Sequence, residues 1–133
     1  MRIDGACHCG TVRYAAEIDP GRVTICHCTD CQVLTGTAFR VSVTAAPADL
    51  RITGAPKVYA KRADSGRIRN QYFCGDCGTP LFTNAAGDAP GRWGIRWGSI
   101  RQREQLSPTA QIWRRSAAPW VCAFDDAPAR PTE

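Results

Sequence analysis

Three thiols fall within six residues, at Cys26, Cys28 and Cys31, and soft ligands at such short range point to a metal. In an extended segment Cys26 and Cys28 project to one face, because side chains alternate with period 2, and a bend after Cys28 brings Cys31 round to the same point. His27 then faces away. Tetrahedral zinc takes thiolates at about 2.3 Å, so three local ligands leave one position to be filled from elsewhere or left open. An open position would mean reactivity.

Four of the remaining cysteines come in two pairs, Cys7 with Cys9 and Cys74 with Cys77, and Cys122 stands alone. The run Cys74-Gly75-Asp76-Cys77-Gly78 has the Cys-x-x-Cys-Gly pattern of a zinc knuckle, whose glycines allow the tight backbone. A closed structural zinc needs four ligands, and the two pairs supply four if the first packs beside the knuckle. The triplet is then a separate three-thiolate site. A competing partition puts Cys74 or Cys77 with the triplet and leaves the first pair free, and spacing alone does not choose between them. His8 and His27 each lie between two cysteines and are expected behind the metal or on the surface. Cys122 follows a Trp and a Val and reads as a core residue.

Eight cysteines in 133 residues stand out against an otherwise ordinary globular composition of 44% hydrophobic and 22% charged residues. An even count could signal a disulfide framework, but Met1-Arg2-Ile3-Asp4 leads straight into the first cysteine pair with no room for a secretory apolar segment. Metal binding is the better reading, in a soluble, cytoplasmic protein. No apolar run approaches a membrane span, since charged residues interrupt every candidate. The formal charge of +5 raises the possibility of nucleic acid, yet seven thiolates on two zinc ions add seven negative and four positive charges and bring it to about +2. The arginines are scattered rather than gathered in a run, so nucleic acid is not the expected partner. Arg40, Arg62, Arg67 and Arg69 are read as solvated, although any that ring an open zinc could hold a substrate carboxylate in the guanidinium fork.

The elements that must position these thiols are short strands. Val12, Tyr14 and Ala16 alternate after the first pair, Asp19-Pro20-Gly21 turns, and Val23 to Cys26 reads as the antiparallel partner of that strand. Thr29 to Leu34 makes one short helical turn, capped by Thr29 or Asp30 and broken by Gly36. Strands follow at Phe39 to Val43, Leu50 to Thr53, Lys57 to Lys61, Arg67 to Phe73 and Pro80 to Thr83. A loop covers Asn84 to Gly91, and Trp93, Ile95 and Trp97 share a strand face. Gln111 to Arg115 is a final strand, Pro119 to Phe124 supplies apolar anchors, and the tail frays from Asp125. The tryptophans, with Phe39, Phe73 and Phe82, are read as core first and pocket lining second. With no sustained helical period and no repeat, residues 1–133 are expected to form one mainly β domain.

Taken in order, Gly5-x-Cys7-His8-Cys9-Gly10-x-Val12-Arg13-Tyr14, Cys26-His27-Cys28-x-x-Cys31-Gln32-x-x-Thr35-Gly36 and Phe73-Cys74-Gly75-Asp76-Cys77-Gly78-Thr79-Pro80-Leu81-Phe82 resemble the glutathione-dependent formaldehyde-activating enzyme family, also called the centromere protein V-like family. Ser65-Gly66-Arg67, Trp113 and Trp120 extend the resemblance over nearly the whole chain. It implies a β-rich, Mss4-like sandwich or tent of short antiparallel strands. It also implies a structural zinc on Cys7, Cys9, Cys74 and Cys77, and a catalytic zinc on Cys26, Cys28 and Cys31. The implied activity is a carbon-sulfur lyase that joins glutathione, or a similar small thiol, to formaldehyde or another small aldehyde. Gln111 departs from the pattern, since members often carry a histidine there.

A zinc with three thiolates is a poorer Lewis acid than one held by neutral histidines, and so suits an incoming thiol better than a water. Two rivals make different predictions. A binding module with both zincs structural needs a fourth protein ligand at the triplet, such as Asp30, His8, His27 or Cys122. A redox or metal-buffer protein needs reversible oxidation of the triplet.

Overall fold

The computed structural model describes residues 1–87 and 91–132. Along the chain come β1 (Arg2–Ala6), β2 (Arg13–Glu17), β3 (Val23–Cys26), the helix α1 (Thr29–Thr35), β4 (Arg40–Ala45) and β5 (Leu50–Thr53). They are followed by β6 (Lys57–Arg62), β7 (Ile68–Phe73), β8 (Pro80–Ala85), β9 (Trp93–Arg96) and β10 (Ala110–Ile112). The strands form two sheets, one in the order β1-β2-β5 and one in the order β10-β3-β4-β9-β8-β7-β6. The protein is mainly β, as expected, with α1 the one α-helix among the described residues. None of the helices described is long and apolar enough to cross a membrane.

The core lies where the two sheets meet. Ile3, Tyr14 and Ala16 of the small sheet are buried in one cluster with Val43, Phe82 and Ile95 of the large one. Tyr14 packs edge-on against Phe82 with ring centroids 5.0 Å apart. Full burial of a side chain such as Phe82 contributes about 1.5–3 kcal/mol, and period-2 alternation places it on the correct face. Val43, Ile95, Phe82 and Tyr72 lie across from one another in register. On the opposite face of the same strands the register aligns Cys26 with Arg40, Ser42 with Arg96, Thr83 with Gln71, and Arg69 with Lys61. The apolar face builds the core, leaving the other face of these central strands free to carry polar groups.

The structure departs from the sequence-based expectation in four places. The β2–β3 hairpin does not form, because both edges of β2 are taken, by β1 and by β5. The Asp19 turn, in which the Gly21 N–H donates to Asp19 Oδ1 at 2.9 Å, instead passes the chain from one sheet to the other. Not every pairing is antiparallel: β10 runs parallel to β3, with Gln111 opposite Ile25, after a crossover long enough to allow it. The Pro119 to Phe124 stretch is not a set of core anchors, since Trp120 and Phe124 are 56% and 54% exposed and Cys122 is exposed. Single 3-10 turns at Pro119–Cys122 and Phe124–Asp126 keep this segment on the surface, where Arg114 Nη2 donates to Cys122 Sγ at 3.2 Å. Of the loop expected over Asn84 to Gly91, Asn84 and Ala85 extend β8, and residues 88–90 lie outside the described residues.

Candidate metal centres and the cavity beside them

Cys7 and Cys9 follow β1 and Cys74 and Cys77 follow β7, each pair in a tight turn of the same form. The Cys7 N–H donates to Val12 O and the Gly10 N–H to Cys7 O; likewise the Cys74 N–H donates to Thr79 O and the Gly78 N–H to Cys74 O. Gly78 sits at φ 74°, a left-handed conformation that a side chain would strain. The two turns meet where the His8 N–H donates to Thr79 Oγ1 at 3.0 Å. As a result the four sulfurs lie within 4.8 Å of one another. A tetrahedral zinc with bonds of about 2.3 Å separates its sulfurs by about 3.8 Å, and the Cys7–Cys9 and Cys9–Cys74 separations are 3.5 and 3.7 Å. Hydrogen bonds from the Thr79 hydroxyl and backbone hold the Cys77 thiol down to about 5, so one ligand is anionic even without a metal. This donor set fits a closed four-thiolate site.

The second cluster is built by the end of β3 and the start of α1. Cys26 is the last residue of β3, Cys28 is the N-cap of α1, and Cys31 lies in its first turn. Thr29 and Asp30 do not cap the helix as expected. Cys28 Sγ does, accepting the Cys31 N–H at 3.3 Å, so a single sulfur both starts the helix and faces the other two. Gly36 ends the helix in the left-handed conformation. The three sulfurs lie within 4.8 Å of one another, and no fourth Cys, His, Asp or Glu joins them among the described residues. A hydrogen bond from Cys31, helped by the Arg40 charge, holds the Cys26 thiol down to about 5, and the same shared proton pushes Cys31 up. All eight cysteines are free thiols, and this trio too can hold a metal ion.

The triplet opens onto a cavity of about 590 Å³ floored by the polar face of the large sheet. Arg40, Lys61, Arg69, Arg92 and Arg96 line it, and among the described residues the one carboxylate in the lining is Asp30, which is paired with Lys61. That ion pair ties α1 to the edge strand β6 and raises the Lys61 pKa. Arg40 and Arg96 are buried, at 6% and 8% exposed. Burial and the neighbouring Arg40 push Arg96 down to about 9, which still leaves it protonated at neutral pH, so among the described lining residues cations outnumber carboxylates.

Of the arginines read as solvated, Arg62 and Arg67 are exposed, Arg69 is half-buried and Arg40 is buried. The reading fails at Arg40 because β4 is an interior strand whose alternate positions face the cavity. No motif marks Arg96 or Gln71 in the sequence, although the alternation Trp93-Gly94-Ile95-Arg96 puts Arg96 opposite an apolar face. His27 is fully buried and turned from the triplet, donating from Nε2 to Gln111 Oε1 at 2.8 Å. His8 is exposed beside the four-cysteine cluster. Trp93 and Trp97 pack on the core, whereas Trp113 is 51% exposed at the cavity edge.

Fold and site define a class: a mainly β protein that gathers seven thiols into a four-sulfur and a three-sulfur cluster, the second beside a cationic cavity. Residues 2–116 match the family model of the glutathione-dependent formaldehyde-activating enzyme, and the chain belongs to that family. No curated protein matches the chain. A crystal structure of a Rhodobacter sphaeroides protein is similar in fold, with a TM-score of 0.63 at 22% sequence identity over 81% of this chain and 98% of that one.

Proposed function

We propose that the protein is a zinc-dependent carbon-sulfur lyase that adds glutathione, or a similar small thiol, to formaldehyde or another small aldehyde, reversibly. The observation that carries this reading is the three-thiol cluster, with no fourth protein ligand among the described residues, opening onto a cavity lined by cations. In this reading Cys7, Cys9, Cys74 and Cys77 hold a structural zinc, and Cys26, Cys28 and Cys31 hold a catalytic one. Zinc bound at the triplet supplies one thing, a lowered pKa for an incoming thiol whose sulfur it holds in place.

The chain's own residues do the rest. Cys28 fixes the start of α1, so that Cys31 meets Cys26 from the other side of the bend. The cationic lining attracts a thiol that carries carboxylates, as glutathione does, and the floor faces the negative charge that develops on the aldehyde oxygen when sulfur attacks carbon. Addition forms one carbon-sulfur bond at the expense of the carbonyl π bond and moves the thiol's proton to that oxygen; reversal breaks the carbon-sulfur bond, restores the carbonyl and returns the proton to sulfur. The free thiols fit a reducing, cytoplasmic setting, and residues 1–133 are taken as one domain.

The test is NMR exchange between free formaldehyde and its glutathione adduct, with zinc-loaded wild type and with Cys31→Ser. Acceleration by wild type and its loss in Cys31→Ser, with the fold and one zinc retained, is the expected result. Full activity in Cys31→Ser would reject the assignment.

A further inference from the structure

Two buried arginines share the cavity floor, and among the described residues no carboxylate pairs with either. Both guanidiniums turn to the same neutral atom. Gln71 Oε1 accepts from Arg40 Nη1 at 3.0 Å and from Arg96 Nη2 at 2.9 Å. Gln71 is itself held, since its Nε2 donates to Thr83 Oγ1, and that hydroxyl donates to Asn70 O. Arg96 Nη1 donates to Ser42 Oγ at 2.8 Å. Arg40 Nε is buried and has no partner. A buried donor left unmatched costs about 1–3 kcal/mol, and two cations drawn together out of water cost more unless an anion answers them. The nearby thiolates answer part of the charge, because Arg40 lies directly across from Cys26 in the β3–β4 register. Three thiolates on a divalent ion leave one negative charge in excess, which balances one guanidinium and not two.

We propose that Arg40 and Arg96, braced by Gln71, form a carboxylate-binding subsite in the floor of the cavity beside the Cys26, Cys28 and Cys31 cluster. The subsite gives the reaction a substrate class: one of the two reactants carries a carboxylate that docks there. This use of the subsite rests on the reaction proposed above, while the binding itself needs no turnover. The carboxylate comes either with the thiol, as in a glutathione-like peptide, or with the aldehyde, as in an aldehyde acid.

Calorimetric titration of the zinc-loaded protein separates these sources. The thiol-side probe is S-methylglutathione, which offers no thiolate, set against its diethyl ester; the aldehyde-side probe is glyoxylate, set against glycolaldehyde. At least one acid is expected to bind wild type about tenfold or more tightly than its uncharged counterpart, and which acid does so names the source. Gln71→Glu places a carboxylate of the same shape between the two guanidiniums. It should raise the melting temperature and weaken binding of that acid about tenfold or more. Should that variant not fold, Arg96→Gln gives the same reading of affinity. The subsite is overturned if neither acid is preferred over its counterpart, or if the folded variant binds the acid as wild type does. Acid binding without exchange activity removes the proposed reaction and leaves the subsite; exchange without acid preference does the reverse.

Discussion

The thiols of the triplet are not equivalent, although they stand five residues apart at most. Cys26 receives a hydrogen bond from Cys31 and feels the Arg40 charge, so it is the thiol held down to about 5, while Cys31 keeps the shared proton and is pushed up. A lowered pKa means that the proton is already lost at neutral pH. In metal-free protein the alkylation rate of Cys26 by iodoacetamide should therefore be flat between about pH 6 and 8 and fall as the pH drops through about 5. An ordinary thiol near 9.0 would instead gain about tenfold per pH unit over the same interval. Mass spectrometry of the Cys26 peptide follows the reaction, and added zinc should protect it. A rate that climbs steadily through neutral pH would show that Cys26 is not the lowered member.

Among the strands, close approach limits what the sequence can change. Gly5 lies on β1 where the small sheet meets the chain beyond β9, bridging to Ile100. A Cβ there would collide with the Ser99 carbonyl and the Tyr14 hydroxyl, and Tyr14 is not free to move, since its hydroxyl is 2.8 Å from Ser99 Oγ and its ring packs on Phe82. Gly5→Ala should cost about 3 kcal/mol through overpacking. The measurement is the shift in urea midpoint at unchanged m-value; an unshifted midpoint would mean that β1 moves aside freely. The same crowding explains why Gly5 belongs to the pattern around the first cysteine pair: two residues before Cys7, it must let its cross-strand partner Tyr14 on β2 reach across it.

For the molecule as a whole, the four-sulfur cluster joins the turn after β1, in the small sheet, to the β7–β8 turn in the large one. A metal bound there contributes its binding free energy to folding, because the unfolded chain has no such site. The triplet joins neighbouring segments of β3 and α1 and carries less of the fold. Cys77→Ser should therefore lower the melting temperature by about 10 °C or more, whereas Cys31→Ser should change it by only a few degrees. Scanning calorimetry paired with metal analysis tests this, with one zinc per chain expected in Cys31→Ser. Equal losses in the two variants would make both clusters structural and favour the binding-module reading.

The sequence by itself determined the grouping of thiols into pairs and a triplet, the alternation that builds each strand and the turn residues that end them. These are local properties: ligand spacing, side-chain period and backbone conformational freedom are all written within a few residues. Only the tertiary structure decided which strands pair. Nothing local to Asp19-Pro20-Gly21 says that both edges of β2 are already taken, and nothing local to Ala110–Ile112 says that it joins β3 in parallel. The same holds for the cavity floor. Arg40 and Arg96 are 56 residues apart in sequence, and Arg40 alone reads as a solvated cation, yet β4 and β9 are neighbours in the middle of a sheet. Burial there, decided by pairing across the whole chain, turns two ordinary surface residues into a charged floor beside the thiols.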